Sequence, residues 1–152
     1  MRKFLPAGIV FGLLLVADLA SAQASGPYSY YGIAPCRIID TRNANGPVGG
    51  PALANGTPRD FPIVNQCGVP STAKAVTLNV TLVSPTVDGF LKIYPVGVST
   101  TVSNINALAN TPAIANAVIV LLTAGTNNIT AVFGTSQAGT AHMLVDVTGY
   151  FQ

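Results

Sequence analysis

The sequence predicts an all-β protein, an antiparallel β-sandwich of about eight strands with jelly-roll or immunoglobulin-like topology. Three observations predict it. Apolar side chains recur at every second position in the clearest segment, at Val76, Leu78, Val80 and Leu82, which is the side-chain period of a half-buried strand. Clusters of Gly, Pro, Asn, Asp and Ser interrupt the chain roughly every ten residues, the spacing of a sandwich or barrel. No segment carries a sustained helical apolar period with capping residues at its ends. The two topologies stay open, although the chain has no Trp for the usual immunoglobulin core.

The N-terminus stands apart from this pattern. Arg2 and Lys3 precede an apolar run from Ala7 to Ala17, and Ala20-Ser21-Ala22 follows as a small-x-small cleavage site, with Ala22-Gln23-Ala24 as a second option. Residues 1–22 therefore read as a signal peptide, against the alternative of an uncleaved anchor. The run falls short of the roughly 20 apolar residues that a bilayer span needs. No Cys follows it to support a lipid anchor. Residues 23–35 read as a polar and aromatic leader, and 36–152 as the sandwich domain.

Within that domain, Arg37–Thr41 is a short strand, and residues 43–58 form a long Gly- and Pro-rich loop. Residues 59–64 are a weak strand, demoted by Pro62. Lys74–Val83 is the clearest strand, and a turn over 84–89 leads to Phe90–Tyr94. Thr100–Leu108 alternates weakly, with Val102 and Ile105 as apolar marks. Ala117–Leu122 is a continuous apolar run, expected to be buried on both faces or central in a sandwich. Ile129–Phe133 and Ala141–Phe151 complete the set, each preceded by a turn cluster.

Charge is scarce. Charged residues make up 8% of the chain, against about 25% in ordinary soluble domains. After residue 22, Arg37, Arg42, Arg59, Lys74 and Lys92 face Asp40, Asp60, Asp88 and Asp146, and the chain has no Glu. Scattered cations of this kind do not make a nucleic-acid surface, which needs clustered Lys and Arg. A near-neutral surface instead promotes association. Cys36 and Cys67 lie in a chain read as exported, where a disulfide is the default. The alternative is a redox or nucleophilic thiol, for which there is no Cys-x-x-Cys and no histidine but the distant His142.

Catalytic patterns are sparse. Nucleophilic hydrolysis needs a base beside the nucleophile; His142 is the sole histidine, and no Gly-x-Ser-x-Gly occurs. Glycoside hydrolysis needs a carboxylate pair. Asp40 and Asp146 are instead expected to form structural ion pairs with Arg37 and Arg42, and Asp88 lies in a turn, where Asp is common. Zinc needs more ligands than one His and two Cys supply, and no metal or cofactor is expected. The stretch Asp40–Gly46 is oxygen-rich, yet it does not match an EF-hand, and its twelfth position is Pro51. Gly49-Gly50 lacks the Lys-Ser/Thr and helix of a phosphate loop. Tyr28, Tyr30 and Tyr31 form an aromatic cluster that is a candidate for assembly or binding; Tyr94 and Tyr150 read as core-edge residues. Asn55, Asn79 and Asn128 each begin a short glycosylation pattern.

The segments PCRIIDTR (35–42), CGVPSTAKAVTLNVTLVSPTVDGFLKIYPVG (67–97) and HMLVDVTGYF (142–151) occur in this order. With them the chain resembles bacterial secreted domains marked by a DTR motif, a GVP…A…LNVT strand and a V-x-GYF ending. The resemblance implies export, a β-sandwich and a Cys36–Cys67 pairing, and it implies no reaction. The function expected from all of this is that of a non-enzymatic structural protein at the cell surface or outside the cell. Its expected partners are copies of itself, met through the N-terminal segment or sheet edges. A carbohydrate- or surface-binding module is the alternative, with surface glycans as partners.

Overall fold

The computed structural model describes residues 26–152; the segment read as a signal peptide, its cleavage sites and the first residues of the leader lie outside the described residues. Nine strands follow in order: β1 (Tyr30–Asp40), β2 (Leu53–Ala54), β3 (Arg59–Phe61), β4 (Ala75–Val83), β5 (Gly89–Pro95), β6 (Ile105–Ala107), β7 (Ala113–Leu121), β8 (Ile129–Gly134) and β9 (Thr140–Phe151). One sheet has the order β1-β9-β4-β7, with β2 also on β9, and the other has β3-β8-β5-β6. All pairings between these strands are antiparallel.

The topology resolves what the sequence left open. With the two-residue β2 set aside, the first strand pairs with the last, β3 with β8, β4 with β7, and β5 with β6. Nested pairing of this kind is a long hairpin rolled into two facing sheets, the jelly roll.

Alternation builds the core. Along β4, Val76, Leu78, Val80 and Leu82 are buried while Thr77, Asn79, Thr81 and Val83 are half-exposed. Met143, Val145 and Val147 of β9 lie beside them in register, and Phe61, Leu91, Ile129 and Phe133 supply the opposite layer. Each such side chain contributes roughly 1.5–3 kcal/mol on leaving water. The Cys36–Cys67 disulfide ties β1 to the loop before β4.

Two expectations change. The leader is not wholly outside the domain, because its last six residues open β1 and the first three of these pair with β9: Tyr30 with Phe151, Tyr31 with Tyr150 and Gly32 with Gly149. Register shifts between Gly32 and Cys36 and between Arg37 and Ile39 break the alternation there, which hid the strand. The second of these lets both Ile38 and Ile39 be buried. The apolar run at Ala117–Leu122 is not a central strand either. It belongs to β7, an edge strand in which Val120 alone is buried. A run of apolar residues marks a strand, but its neighbours in the sheet decide whether that strand is covered.

Candidate functional site

The DTR motif closes the end of β1. Asp40 accepts hydrogen bonds from the Arg42 backbone N–H at 3.1 Å and from its guanidinium at 2.9 and 2.7 Å. Arg37 grips Asp146 across the β1–β9 ladder at 2.6 and 2.9 Å and lies 3.6 Å from Asp40. The four residues expected to pair thus form one chain of charges, Arg42–Asp40–Arg37–Asp146. The Arg42 fork, with help from Arg37, holds the Asp40 carboxyl well below its ordinary range, at about 2. Between them in sequence, Thr41 is 1% exposed. Its hydroxyl accepts the Met143 N–H at 2.8 Å and lies 3.2 Å from His142 Nδ1. That contact resembles a nucleophile beside a base, but a hydroxyl so deeply buried cannot meet a substrate. The pair locks β1 to β9.

The other carboxylates are also engaged. Asp60 accepts the Thr130 hydroxyl at 2.6 Å, and Asp88 accepts the Ala109 N–H at 2.7 Å. Among the described residues, no three His, Cys, Asp or Glu side chains gather in a way that could hold a metal ion. The oxygen-rich loop after Asp40 has a cation of its own. Arg59 reaches in from β3 and donates to the carbonyls of Pro51, Gly46, Gly49 and Gly50 at 2.6–2.9 Å, its guanidinium 4.7 Å from the Phe61 ring centroid. Burial lowers its pKa from the ordinary arginine value. Arg59 therefore occupies this carbonyl cluster and supplies its positive charge. Gly50 sits so close to Asn45 and the Asn43 carbonyl that a Cβ could not be added there.

No family model, curated protein or solved structure matches this chain.

Two depressions lie on the surface of the described residues. One, of about 360 Å³, is lined by Phe90, Leu108 and Thr135 with Asp88 at its side. The other, of about 250 Å³, lies between Lys74, Thr123 and Asn128. Asn128 is not available there for chemistry or for a glycan, because it is 1% exposed. Its side chain accepts from the N–H groups of Ile63 and Val64 and donates to the carbonyls of Thr123 and Gly125. Asn55 is half-buried, with its side chain bonded to Thr135 and Gln137. No helix among the described residues is long and apolar enough to cross a membrane.

The candidate tyrosines do not form one platform. Tyr30 and Tyr31 are consecutive in β1 and point to opposite faces. Tyr31 stacks on Tyr150 with ring centroids 5.2 Å apart, while Tyr30 tilts against Phe151, also at 5.2 Å. The Tyr30 ring covers Gly149, where a Cβ would collide with it. Tyr28 is half-buried just before the strand. From Ser29 onward this segment is engaged by its own chain, since Ser29 and Gln152 exchange backbone hydrogen bonds at 2.9 and 3.0 Å.

The surface feature that the sequence reading missed is β7. Register places Tyr30, Phe151, Ala75 and Leu121 in one row across the outer face of the sheet, with Gly32, Gly149, Thr77 and Ile119 in the next. Tyr30 is 52% exposed, Ile119 68% and Leu121 45%. An apolar strip therefore crosses the sheet and ends on its open edge. The available signal was the length of the uncharged stretch Ala113–Leu122 combined with small residues at Ala113, Ala115 and Ala117.

Proposed function

We propose that this chain is an exported, non-enzymatic structural protein that works by associating with copies of itself at the cell surface or in an extracellular filament or matrix. The observation that carries this reading is β7, nine residues without a charge or a proline at the edge of a sheet. A long, flat, apolar edge is a template for another strand, and proteins that work as monomers blunt such edges with Lys, Pro or bulges. The exposed Tyr30, Ile119 and Leu121 extend it with apolar surface of the kind that marks interaction sites. A near-neutral charge balance lets copies approach without repulsion. The four Asp side chains among the described residues, each hydrogen-bonded or ion-paired within the fold, support the non-enzymatic part of the reading. The disulfide suits an oxidising compartment outside the cell.

Light scattering and electron microscopy of the purified protein test this reading. A mass above that of the monomer, rising with concentration, is the expected result; a monomer at every concentration contradicts it.

A carbohydrate-binding role is the second reading, favoured by the stacked Tyr31–Tyr150 pair at the end of the β1–β9 ladder. It predicts glycan-array binding that Tyr31→Ala abolishes, and an array without hits removes it.

A further inference from the structure

We infer that two copies of this chain join β7 to β7 in an antiparallel pair whose two-fold axis passes through Ala117. The inference rests on the self-association reading and names its interface. β7 pairs with β4 in nine consecutive positions without a register shift. Just beyond its end, Leu122 donates its N–H to the Lys74 carbonyl at 2.8 Å. In an antiparallel ladder such groups alternate. Ile114, Asn116, Val118 and Val120 therefore bond to β4, and Ala113, Ala115, Ala117, Ile119 and Leu121 turn their N–H and C=O groups to the open side. No strand among the described residues pairs with that side. Asn116 ties β7 to the facing sheet through the Asn104 carbonyl at 2.9 Å, so the strand is held in place while its edge stays free.

The other edges are defended. β1 carries Pro35, two register shifts and the disulfide at Cys36. β3 and β6 are three residues each, and β3 includes Arg59 and Asp60. β7 alone among the described edge strands is long, regular and uncharged.

A second copy fits this edge by size as well as by hydrogen bonding. On the outer face β7 reads Ala113, Ala115, Ala117, Ile119, Leu121, small at one end and large at the other. Antiparallel pairing about Ala117 sets Ala113 opposite Leu121, Ala115 opposite Ile119, and Ala117 opposite its own counterpart. Every large side chain then meets a small one, and all five outward N–H groups of each strand find a carbonyl. Sliding the pair by one two-residue repeat centres it on Val118 and leaves Ala113 without a partner in β7; a second repeat, centred on Ile119, opposes two isoleucines and leaves Ala113 and Ala115 without partners. A parallel pair would stack Leu121 beside Leu121 and gain less per residue. The strand carries no charge, so like charges never meet at the axis. One strand pair buries less than a standard interface of about 1,600 Å², so the dimer is expected to be reversible and concentration-dependent.

Position 117 faces itself only in this register, which gives the test. Ala117 is exposed, with no core contact to lose. Sedimentation velocity on purified Ala117→Lys and Ala117→Asp variants should show a monomer for each alone. An equimolar mixture should return to a dimer, because Lys then faces Asp. In parallel, an oxidised Ala117→Cys variant should form a covalent dimer, since directly opposed residues with Cα atoms about 5.5 Å apart lie within disulfide reach. Ala113→Cys should not, because its two copies lie at opposite ends of the pair. If the unsubstituted protein is monomeric throughout, the self-association reading itself fails. If it self-associates but the charged variants do so equally, or the mixture stays monomeric and Ala117→Cys does not cross-link, self-association stands and this interface is wrong.

Discussion

Replacing Arg59 with methionine keeps a long unbranched stem while removing the guanidinium from the carbonyl cluster. In the native fold that group satisfies four acceptors, on Gly46, Gly49, Gly50 and Pro51, and Gly49 and Gly50 are buried. A buried acceptor left without its partner costs about 1–3 kcal/mol, and bonds to a charged donor lie at the upper end of net values. Pro51 is exposed and Gly46 half-exposed, so water can replace Arg59 there. The Gly50 carbonyl keeps the Gly46 N–H at 3.1 Å, so one buried carbonyl, that of Gly49, is orphaned, and with the weakened bond to Gly50 and the lost contact to Phe61 the loss is about 2–3 kcal/mol. For a domain of this size that lowers the melting temperature by roughly 8–12 °C. Arg59→Lys keeps the charge but reaches fewer carbonyls, so it should fall between the two. Thermal and urea melts followed by circular dichroism read both variants, with an unchanged urea slope showing that the native state is otherwise intact. A loss below about 1 kcal/mol for Arg59→Met would refute the view that this side chain is the loop's resident cation.

Further outcomes follow from the same geometry. Asp40 has a folded pKa of about 2, below the ordinary carboxylate value near 3.9, so its contribution is complete above roughly pH 5 and is lost as pH falls through 2. The shift corresponds to at most about 2.5 kcal/mol, reduced by screening because Arg42 and Arg37 are about half exposed; urea midpoints at pH 5 and pH 2 should differ accordingly, and Asp40→Asn should flatten that difference. Asn128→Ala removes four hydrogen bonds from a buried site and should destabilise by about 3 kcal/mol or more, measured by urea unfolding. Replacing Cys36 and Cys67 together with Ala opens a link between residues 31 apart in sequence and should cost about 3–4 kcal/mol in the chain-entropy model, seen as a lower melting temperature.

Much of the sandwich was legible because one face of β4 and β9 is buried, so side-chain polarity alternates with a period of two at Val76–Val83 and Met143–Val147. The expected pairing of Arg37 and Arg42 with Asp40 and Asp146 was legible for a similar reason. Few charges occur, and those in and beside the DTR motif had few other places to go. Three features were hidden. The first half of β1 was obscured because its bulges and Pro35 break the alternation on which strand recognition depends. The role of Arg59 left no trace, since its partners are backbone carbonyls, which every sequence possesses. β7 was misplaced because an apolar run such as Ala117–Leu122 looks the same whether a sheet covers it on both sides or stops beside it. Topology decides that difference, and here it turns a stretch that reads as core into an open edge.

Amide hydrogen exchange along β7, followed as protein concentration is raised, addresses that edge most directly. The N–H groups of Ile114, Asn116, Val118 and Val120 should be protected at every concentration, because they bond to β4. Those of Ala115, Ala117, Ile119 and Leu121 should exchange quickly in dilute solution and slow as copies pair. Rapid exchange at these four positions in concentrated solution would mean that nothing docks on β7, and the account of this protein as one that assembles through it would fall.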